Sequence, residues 1–330
     1  MKNILCPVCN ADNQNIFIRG IDILHDVPGE FTLSKCACGM VYINPQPDNN
    51  ELAAYYPDDY CPHRKKKVDS SLKKHKTLKV FLLRWYYGCP VNQNNPPPKW
   101  LRTLLKPFLY FLSLSTLKSM IPYHGEGEIL DVGCGNGGWL IKLKNAGWKN
   151  KGVEIDEPAA QAANEAGLSV FCGTLIDAEF PDKSFDVVRL HYVFEHLINP
   201  KETLDEIHRI LKPDGIALIR IPNINSAMFK LFKENWFALD IPRHVFHYAP
   251  KTFSALAEQH NLKVIKTDFN SPNTGFFTSL EYAKKNNAAP KILLPIKKNS
   301  FWKNVWRPVG WMIDKFHQGD IVEYTLKKKN

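Results

Sequence analysis

Three groups of residues in this 330-residue chain have types and spacings that could do chemistry. The first is Asp131-Val-Gly133-Cys134-Gly135-Asn136-Gly137-Gly138, a glycine run behind a short apolar stretch. Such a loop turns backbone N–H groups outward and lacks the Cβ atoms that would keep a ligand at a distance. Gly133, Gly135 and Gly138 also fit G-x-G-x-x-G, with Glu154 twenty-one residues after Gly133, so one reading is a dinucleotide site. A carboxylate at Glu154 can accept both hydroxyls of a ribose. The second group is Cys6-Pro-Val-Cys9 and Cys36-Ala-Cys38-Gly39, two tight turns twenty-six residues apart. Four thiolates so held suit tetrahedral Zn²⁺, structural because no general base stands nearby; the alternative is four free thiols in a small β-rich domain. Cys61 and His63 are possible further ligands, and Cys134 and Cys172 read as small core residues. The third group is His191, Tyr192 and His196 after one apolar run, with Arg243, His244 and His247 further on. A neutral imidazole can take a proton near pH 7; an arginine cannot, but it can orient an anion.

These groups need elements to position them. Ile129–Val132 reads as a short buried strand and Trp139–Ala146 as a helix ending before Gly147. Strands are expected at Lys151–Glu154, Ser169–Cys172, Phe185–Leu190 and Ile216–Ile221, with helices at Pro158–Ala166 and Thr203–Leu211. Lys212-Pro-Asp-Gly215 reads as the stop of the last helix. Strand alternating with helix predicts an α/β fold with a parallel sheet, whose carboxyl edge carries the ligand. Residues 222–250 break that alternation with aromatic and polar side chains and read as a substrate cover. Thr252–Gln259 then returns to helix and Leu262–Asp268 to strand, and the alternation of Ile321–Leu326 suggests an edge strand. The expected organisation is a cysteine-bearing domain at 1–60, a basic amphipathic segment at 61–124, the core at 125–268, a basic aromatic insertion at 269–320 and a final strand and tail at 321–330. Within the basic segment, Pro107 is expected to interrupt a helix over Trp100–Met120.

Apolar content of 44% is ample for a packed core, and no run reaches the ~20 apolar residues of a membrane span. Without an apolar leader near Met1, a cytosolic location is expected, where eight cysteines suggest thiols or metal ligands rather than disulfides. The net charge of +10 is uneven: 61–124 carries +12 and 284–330 carries +8, leaving about −10 elsewhere. Basic appendages laced with Leu, Phe and Trp suggest an anionic membrane surface as a partner; an amphipathic helix packed on the core is the competing reading.

Asp131-x-Gly-x-Gly-x-Gly137 resembles motif I of the class I S-adenosylmethionine (SAM) methyltransferases. The resemblance continues through Gly152-Val-Glu-Ile-Asp156, Gly173-Thr-Leu175, Phe185–Leu190 and Leu211–Gly215, in the family's order and spacing over roughly Gly125 to Asp268. It implies a Rossmann-like sheet ending in a reversed hairpin. It also implies SAM held by Asp131, Gly133, Cys134, Gly135, Asn136, Gly137, Glu154, Ile155, Gly173, Thr174, Leu175 and Asp177, with His191 at the same edge. The cysteine pairs, the core, the Pro-Arg-His segment and the basic aromatic tail together resemble zinc-ribbon-bearing methyltransferases of bacterial surface-glycan gene clusters. They are similar, more distantly, to sugar C-methyltransferases. That implies methyl transfer to a sugar or lipid-linked glycan intermediate; against a nucleic-acid partner stand His191-Tyr192 at the end of the fourth strand and basic segments laced with Leu, Phe and Trp. His244-Val-Phe-His-Tyr-Ala-Pro250 looks like the segment in which the sugar C-methyltransferases carry a histidine, so His244 is the expected base and Arg243 the expected anion anchor. His191, Tyr192 and His196 are the other catalytic candidates. That family's tyrosine and acid are missing from the neighbouring sequence, which leaves oxygen methylation open. Three alternatives stand. One is an RNA methyltransferase, suggested by the zinc ribbon and basic segment. Another is a quinone-type O-methyltransferase, resembled by Val193-Phe-Glu-His196, but Tyr192 replaces its first carboxylate, so no catalytic metal is expected. The third is a SAM-fold binding protein without catalysis.

Overall fold

The computed structural model describes residues 1–12, 15–57, 77–91, 98–116 and 120–329. Cys61, His63 and the lysine-dense stretch 64–76 therefore lie outside the described residues. The N-terminal region forms strands β1 (Ile16–Gly20), β2 (Phe31–Lys35) and β3 (Val41–Ile43), then helix α1 (Asn49–Ala54), whose start Asp48 and Glu51 close with a reciprocal capping box. Helices α2 (Thr77–Trp85) and α3 (Lys99–Thr116) follow. Pro107 does not interrupt α3 as the sequence suggested but lies inside it. A proline removes one backbone bond, and the face anchored by buried Leu109 carries the helix past it.

The alternating core consists of β4 (Glu128–Val132), α4 (Gly138–Asn145), β5 (Lys149–Glu154), α5 (Glu157–Glu165), β6 (Val170–Cys172), β7 (Phe185–His191), α6 (Pro200–Ile210) and β8 (Leu211–Pro222). Strands β4, β5 and β6 pair in parallel, as crossover helices require. Lys212–Gly215 belongs to β8 and is not a helix stop. Gly215 permits this, since a Cβ there would meet the Lys212 and Phe185 carbonyl oxygens at 3.0 Å. The chain ends with α7 (Ala227–Phe232), β9 (Phe246–His247), α8 (Pro250–Gln259), β10 (Leu262–Asn270), α9 (Asn273–Lys285), α10 (Ser300–Lys315) and β11 (Ile321–Lys328).

Seven strands form a mostly parallel sheet in the order β10-β11-β8-β7-β4-β5-β6, with β10 and β11 antiparallel. Strand β11 is thus interior and β10 is the edge, the reverse of what alternation in β11 suggested. The reason is burial: Ile321, Val322, Tyr324 and Leu326 are all core residues, whereas most of β10 beyond Leu262 is exposed.

The chain divides into two compact units. One comprises Met1–Tyr60, Leu190–His208 and Leu218–Asn330; the other comprises Cys61–Arg189 and Arg209–Ala217. Residues 1–60 therefore share a unit with the segment expected to cover the substrate. Strand β9 of that segment extends the N-terminal sheet to the order β1-β2-β3-β9, with Val41 opposite His247 and Tyr42 opposite Phe246. A three-residue buried strand such as β3 needs partners on both sides, because its backbone groups have no water to bond.

Candidate active site

In the second unit the chain leaves β4 through Gly133, Gly135 and Gly137, at φ of 69°, 55° and 76°. Side-chain residues rarely adopt that left-handed region. Gly137 also starts α4, and a Cβ on it would lie 2.1 Å from Leu168 Cδ1. Glu154 closes β5 beneath this loop: one carboxylate oxygen accepts from the Gly135 N–H at 2.7 Å and the other from the Asp156 N–H at 2.9 Å. A carboxylate has about four lone-pair sites, so both oxygens can still accept from a ribose diol. Ile155 beside it is 74% exposed, and Ile176 is exposed as well, offering apolar contact to a flat ring. Gly173 ties β6 to this edge, its N–H donating to the Glu154 carbonyl at 2.9 Å. Thr174 Oγ1 donates to Asp177 Oδ2 at 2.6 Å and closes the next turn.

Other residues expected to hold the cofactor are placed differently. Asp131 is buried and accepts from Arg189 Nη1 at 2.7 Å, with the guanidinium lying 3.9 Å over the Trp139 ring. Burial pushes the Asp131 carboxyl up, and the Arg189 charge opposes that rise. Asp131 therefore braces the loop from behind. Cys134 Sγ packs against β5, where a Cβ on Gly152 would meet it at 2.6 Å. Leu175 is a core residue, and Asn136 Oδ1 accepts from the Gly138 N–H at 3.3 Å.

The first unit holds a buried polar cluster. His244 Nδ1 lies 2.9 Å from the Ala238 carbonyl, which only accepts, so Nδ1 carries the proton and Nε2 keeps its lone pair. Nε2 faces Asp240 Oδ2 at 3.7 Å. The His196 ring meets the His244 ring edge-on at 4.6 Å, and His196 Nδ1 lies 2.8 Å from the Tyr56 hydroxyl and 3.1 Å from the Arg243 carbonyl. Burial lowers the His244 pKa and pushes His196 and His247 down to about 3, so all three rings are neutral at pH 7. Glu195 is fully buried and neither of its carboxylate oxygens has a hydrogen-bond partner. Burial pushes it up to about 8, with the Asp240 charge adding to the rise, so it is mostly protonated at pH 7. Glu195, His196 and His244 bring ring nitrogens and a carboxylate oxygen within 4.8 Å of one another.

Arg243 is not free to anchor a substrate anion, contrary to the expectation from sequence. A guanidinium has five N–H donors. Here Nε donates to Asp240, Nη1 to Asp22 and the Tyr55 carbonyl, and Nη2 to Asp22 and Asp240, at 2.6 to 3.1 Å. These bonds and burial leave none for a ligand. His191 is also engaged, with Nε2 2.9 Å from Glu323, a carboxylate that Arg220 approaches at 3.0 Å. Tyr192 adopts a φ of 59° and is half exposed.

Cys6, Cys9, Cys36 and Cys38 converge, with Sγ atoms 3.6 Å apart for Cys6–Cys38 and 3.3 Å for Cys9–Cys36. Zn–S bonds of about 2.3 Å in a tetrahedron would set sulfurs roughly 3.8 Å apart, so the four thiols fit a metal. The same unit contains a cavity of about 180 Å³ lined by Glu30, Glu234, Trp236, Tyr282 and Asn286 among others.

Sequence reasoning missed Glu195, Tyr56, Asp22 and Asp240. Glu195 and Asp240 had weak signals, an acid beside His196 and an acid three residues before Arg243. Asp22 had none, lying 221 residues from its partner.

The strand order, the interior antiparallel β11 and the glycine cradle at the strands' carboxyl ends define the class I methyltransferase fold. Residues 98–267 match the family described as "Methyltransferase domain", and this chain belongs to that family. A probable S-adenosylmethionine-dependent methyltransferase of Mycolicibacterium smegmatis is 31% identical over 29% of this chain and 38% of its own length. The ubiquinone biosynthesis O-methyltransferase of Rickettsia prowazekii is 28% identical over 43% of this chain and 58% of its own. In both cases the match spans less than two thirds of the relative. The crystal structure of a SAM-dependent methyltransferase from Archaeoglobus fulgidus is 20% identical, with a TM-score of 0.43 over 70% of this chain and 94% of that one.

Proposed function

We propose that this chain transfers the methyl group of S-adenosylmethionine to a hydroxyl of a sugar or lipid-linked glycan intermediate at an anionic membrane surface. The observation that carries the cofactor is Glu154, clamped by two loop N–H groups beneath a glycine turn and flanked by the exposed Ile155. In the transfer, the acceptor oxygen bonds the methyl carbon as the sulfonium S–CH₃ bond breaks, and S-adenosylhomocysteine leaves. The hydroxyl proton goes to a base, for which His244 has the right tautomer and is neutral at pH 7. Asp240 beside Nε2 would stabilise the imidazolium so formed. Glu195 and Tyr56, which folding brings beside His196, would supply the acid and tyrosine missing from the sequence around His244. Carboxylates and an amide around aromatic faces in the 180 Å³ cavity support a polyhydroxyl acceptor. The cysteine cluster would hold one structural zinc. Among the described residues no helix is long and apolar enough to cross a membrane, so attachment would be peripheral.

A second reading, methylation of a quinone-type phenol, is supported by the name of the R. prowazekii relative and by the Glu195-His196 pair. Mass spectrometry of glycan and quinone fractions from cells with and without the protein separates the two. Purified protein with SAM should then methylate the identified acceptor, and His244→Ala should slow transfer on the order of 10²-fold, the scale of a lost general base. Near wild-type turnover in that variant, with SAM bound normally, would exclude His244 as the base.

A further inference from the structure

Helix α10 is held to the first unit by one face only. Trp306 stacks on Phe276 of α9 with ring centroids 3.8 Å apart, and Gly310 lets the helix approach the Ser271 carbonyl, where a Cβ would lie 3.1 Å away. Asp314 accepts from Ser271 Oγ at 2.6 Å. On the side turned away from these contacts, Phe301, Val305, Val309, Met312 and Phe316 are all exposed, Phe301 by 66% and Phe316 by 73%. At 3.6 residues per turn these five positions fall within an arc of roughly 80°. The stripe is continuous and runs the length of the helix.

A row of bare aromatic and aliphatic side chains on a well-anchored helix needs an occupant. The charge around the helix selects among the candidates. Lys315 lies on one border of the stripe and Lys297 stands just before the helix start, while Lys303 and Arg307 are exposed on the flank next to the anchored face and Lys298 pairs with Glu281. The only acid in α10, Asp314, is occupied by Ser271. A second copy of this face would offer no acid for Lys315 and Lys297 to meet. A nucleic acid would match the charge but leave Val305, Val309 and Met312 without a partner. An anionic lipid surface matches both, with acyl chains taking the stripe and headgroups the lysines. The second unit repeats the pattern independently on α3, where Trp100, Leu104 and Phe108 recur every four residues and are exposed.

We infer that the exposed face of α10 is a membrane-docking surface that seats in the headgroup layer of anionic bilayers, with the helix lying in the plane. The inference rests on the proposed membrane-borne acceptor for its purpose and on α10 alone for its geometry. The test is flotation of the full-length protein with vesicles of phosphatidylcholine and phosphatidylglycerol, beside vesicles of phosphatidylcholine alone. Wild type should float with the anionic vesicles, lose most of that binding in high salt, and bind neutral vesicles at least tenfold more weakly. Phe301→Ser/Met312→Ser/Phe316→Ser should weaken anionic binding tenfold or more, and so should Lys297→Glu/Lys315→Glu. Circular dichroism and SAM calorimetry check that both variants are folded and keep the cofactor site, so a docking failure is distinct from a failure of the methyltransferase reading. Unchanged flotation of the two variants would overturn the inference. So would a dimer seen by sedimentation that the apolar variant dissolves, or retention by RNA in place of vesicles.

Discussion

In the glycine cradle, the bonds that shape the site are short-range or run between neighbouring strands. Gly135 and Asp156 bond Glu154, Thr174 bonds Asp177, and Gly173 bonds the Glu154 carbonyl. Most donors are backbone N–H groups, so the site is carried by chain path and glycine φ angles. In the histidine cluster the opposite holds. Tyr56 reaches His196 across 140 residues, Asp22 reaches Arg243 across 221, and the partners are side chains sealed from water. The cradle leaves Glu154 with lone pairs to spare. The cluster balances one buried guanidinium against two carboxylates and keeps three imidazoles neutral. A site made of backbone groups can thus rest on chain path, whereas buried titratable groups depend on their surroundings to set their protonation.

This contrast predicts that perturbing the first unit changes stability, while perturbing the cradle changes affinity. The largest effect should come from the cysteine cluster. Elemental analysis should find about one zinc per chain, and strong chelation should unfold the β1–β3 region, as loss of a structural metal does in small domains. Finding no metal, with all the thiols titrating freely, would refute this.

Next is Arg243→Ala, which leaves Asp22 and Asp240 buried without a counter-charge. Breaking such a group costs about 3–5 kcal/mol, to be read from denaturant melts, and SAM affinity of the folded fraction should hold. A loss below 1 kcal/mol would mean that the network is not sealed from water.

A smaller effect, read against pH, concerns Glu195. Its folded pKa near 8 lies above its ordinary 4.5, so the folded state binds more protons across that window and its stability falls as pH rises. His196 and His247, near 3 against an ordinary 6.5, do the reverse, and their share of stability is lost as pH falls below 6.5. Glu195→Gln should therefore flatten the alkaline limb of a Tm–pH profile and leave the acid limb in place. An unchanged alkaline limb would place water or a cation beside Glu195.

The smallest effect on stability is expected from Glu154→Ala. SAM affinity should fall tenfold or more by calorimetry, roughly 1.5–3 kcal/mol for hydrogen bonds to a charged group, with Tm nearly unchanged. Equal affinity would remove Glu154 from the ribose site.

The sequence by itself was enough for the class I core, the cradle and the cysteine quartet. Each is encoded by residues close in the chain or by a repeated strand–helix period: glycines where φ must be positive, an acid at a strand's end, thiols on two tight turns. Only the tertiary structure decided which strand is the edge, because the alternation of β11 suits an edge strand while its pairing with both β10 and β8 makes it interior. Only it showed that Asp131 pairs with Arg189 and that Arg243 is consumed by Asp22 and Asp240. The same packing that joins β3 to β9 encloses Tyr56, Glu195, His196 and His244 in one unit. The physical reason is common to all of these. A side chain's charge state and free donors depend on what surrounds it in space, and those neighbours lie tens to hundreds of residues away, beyond the reach of any local pattern.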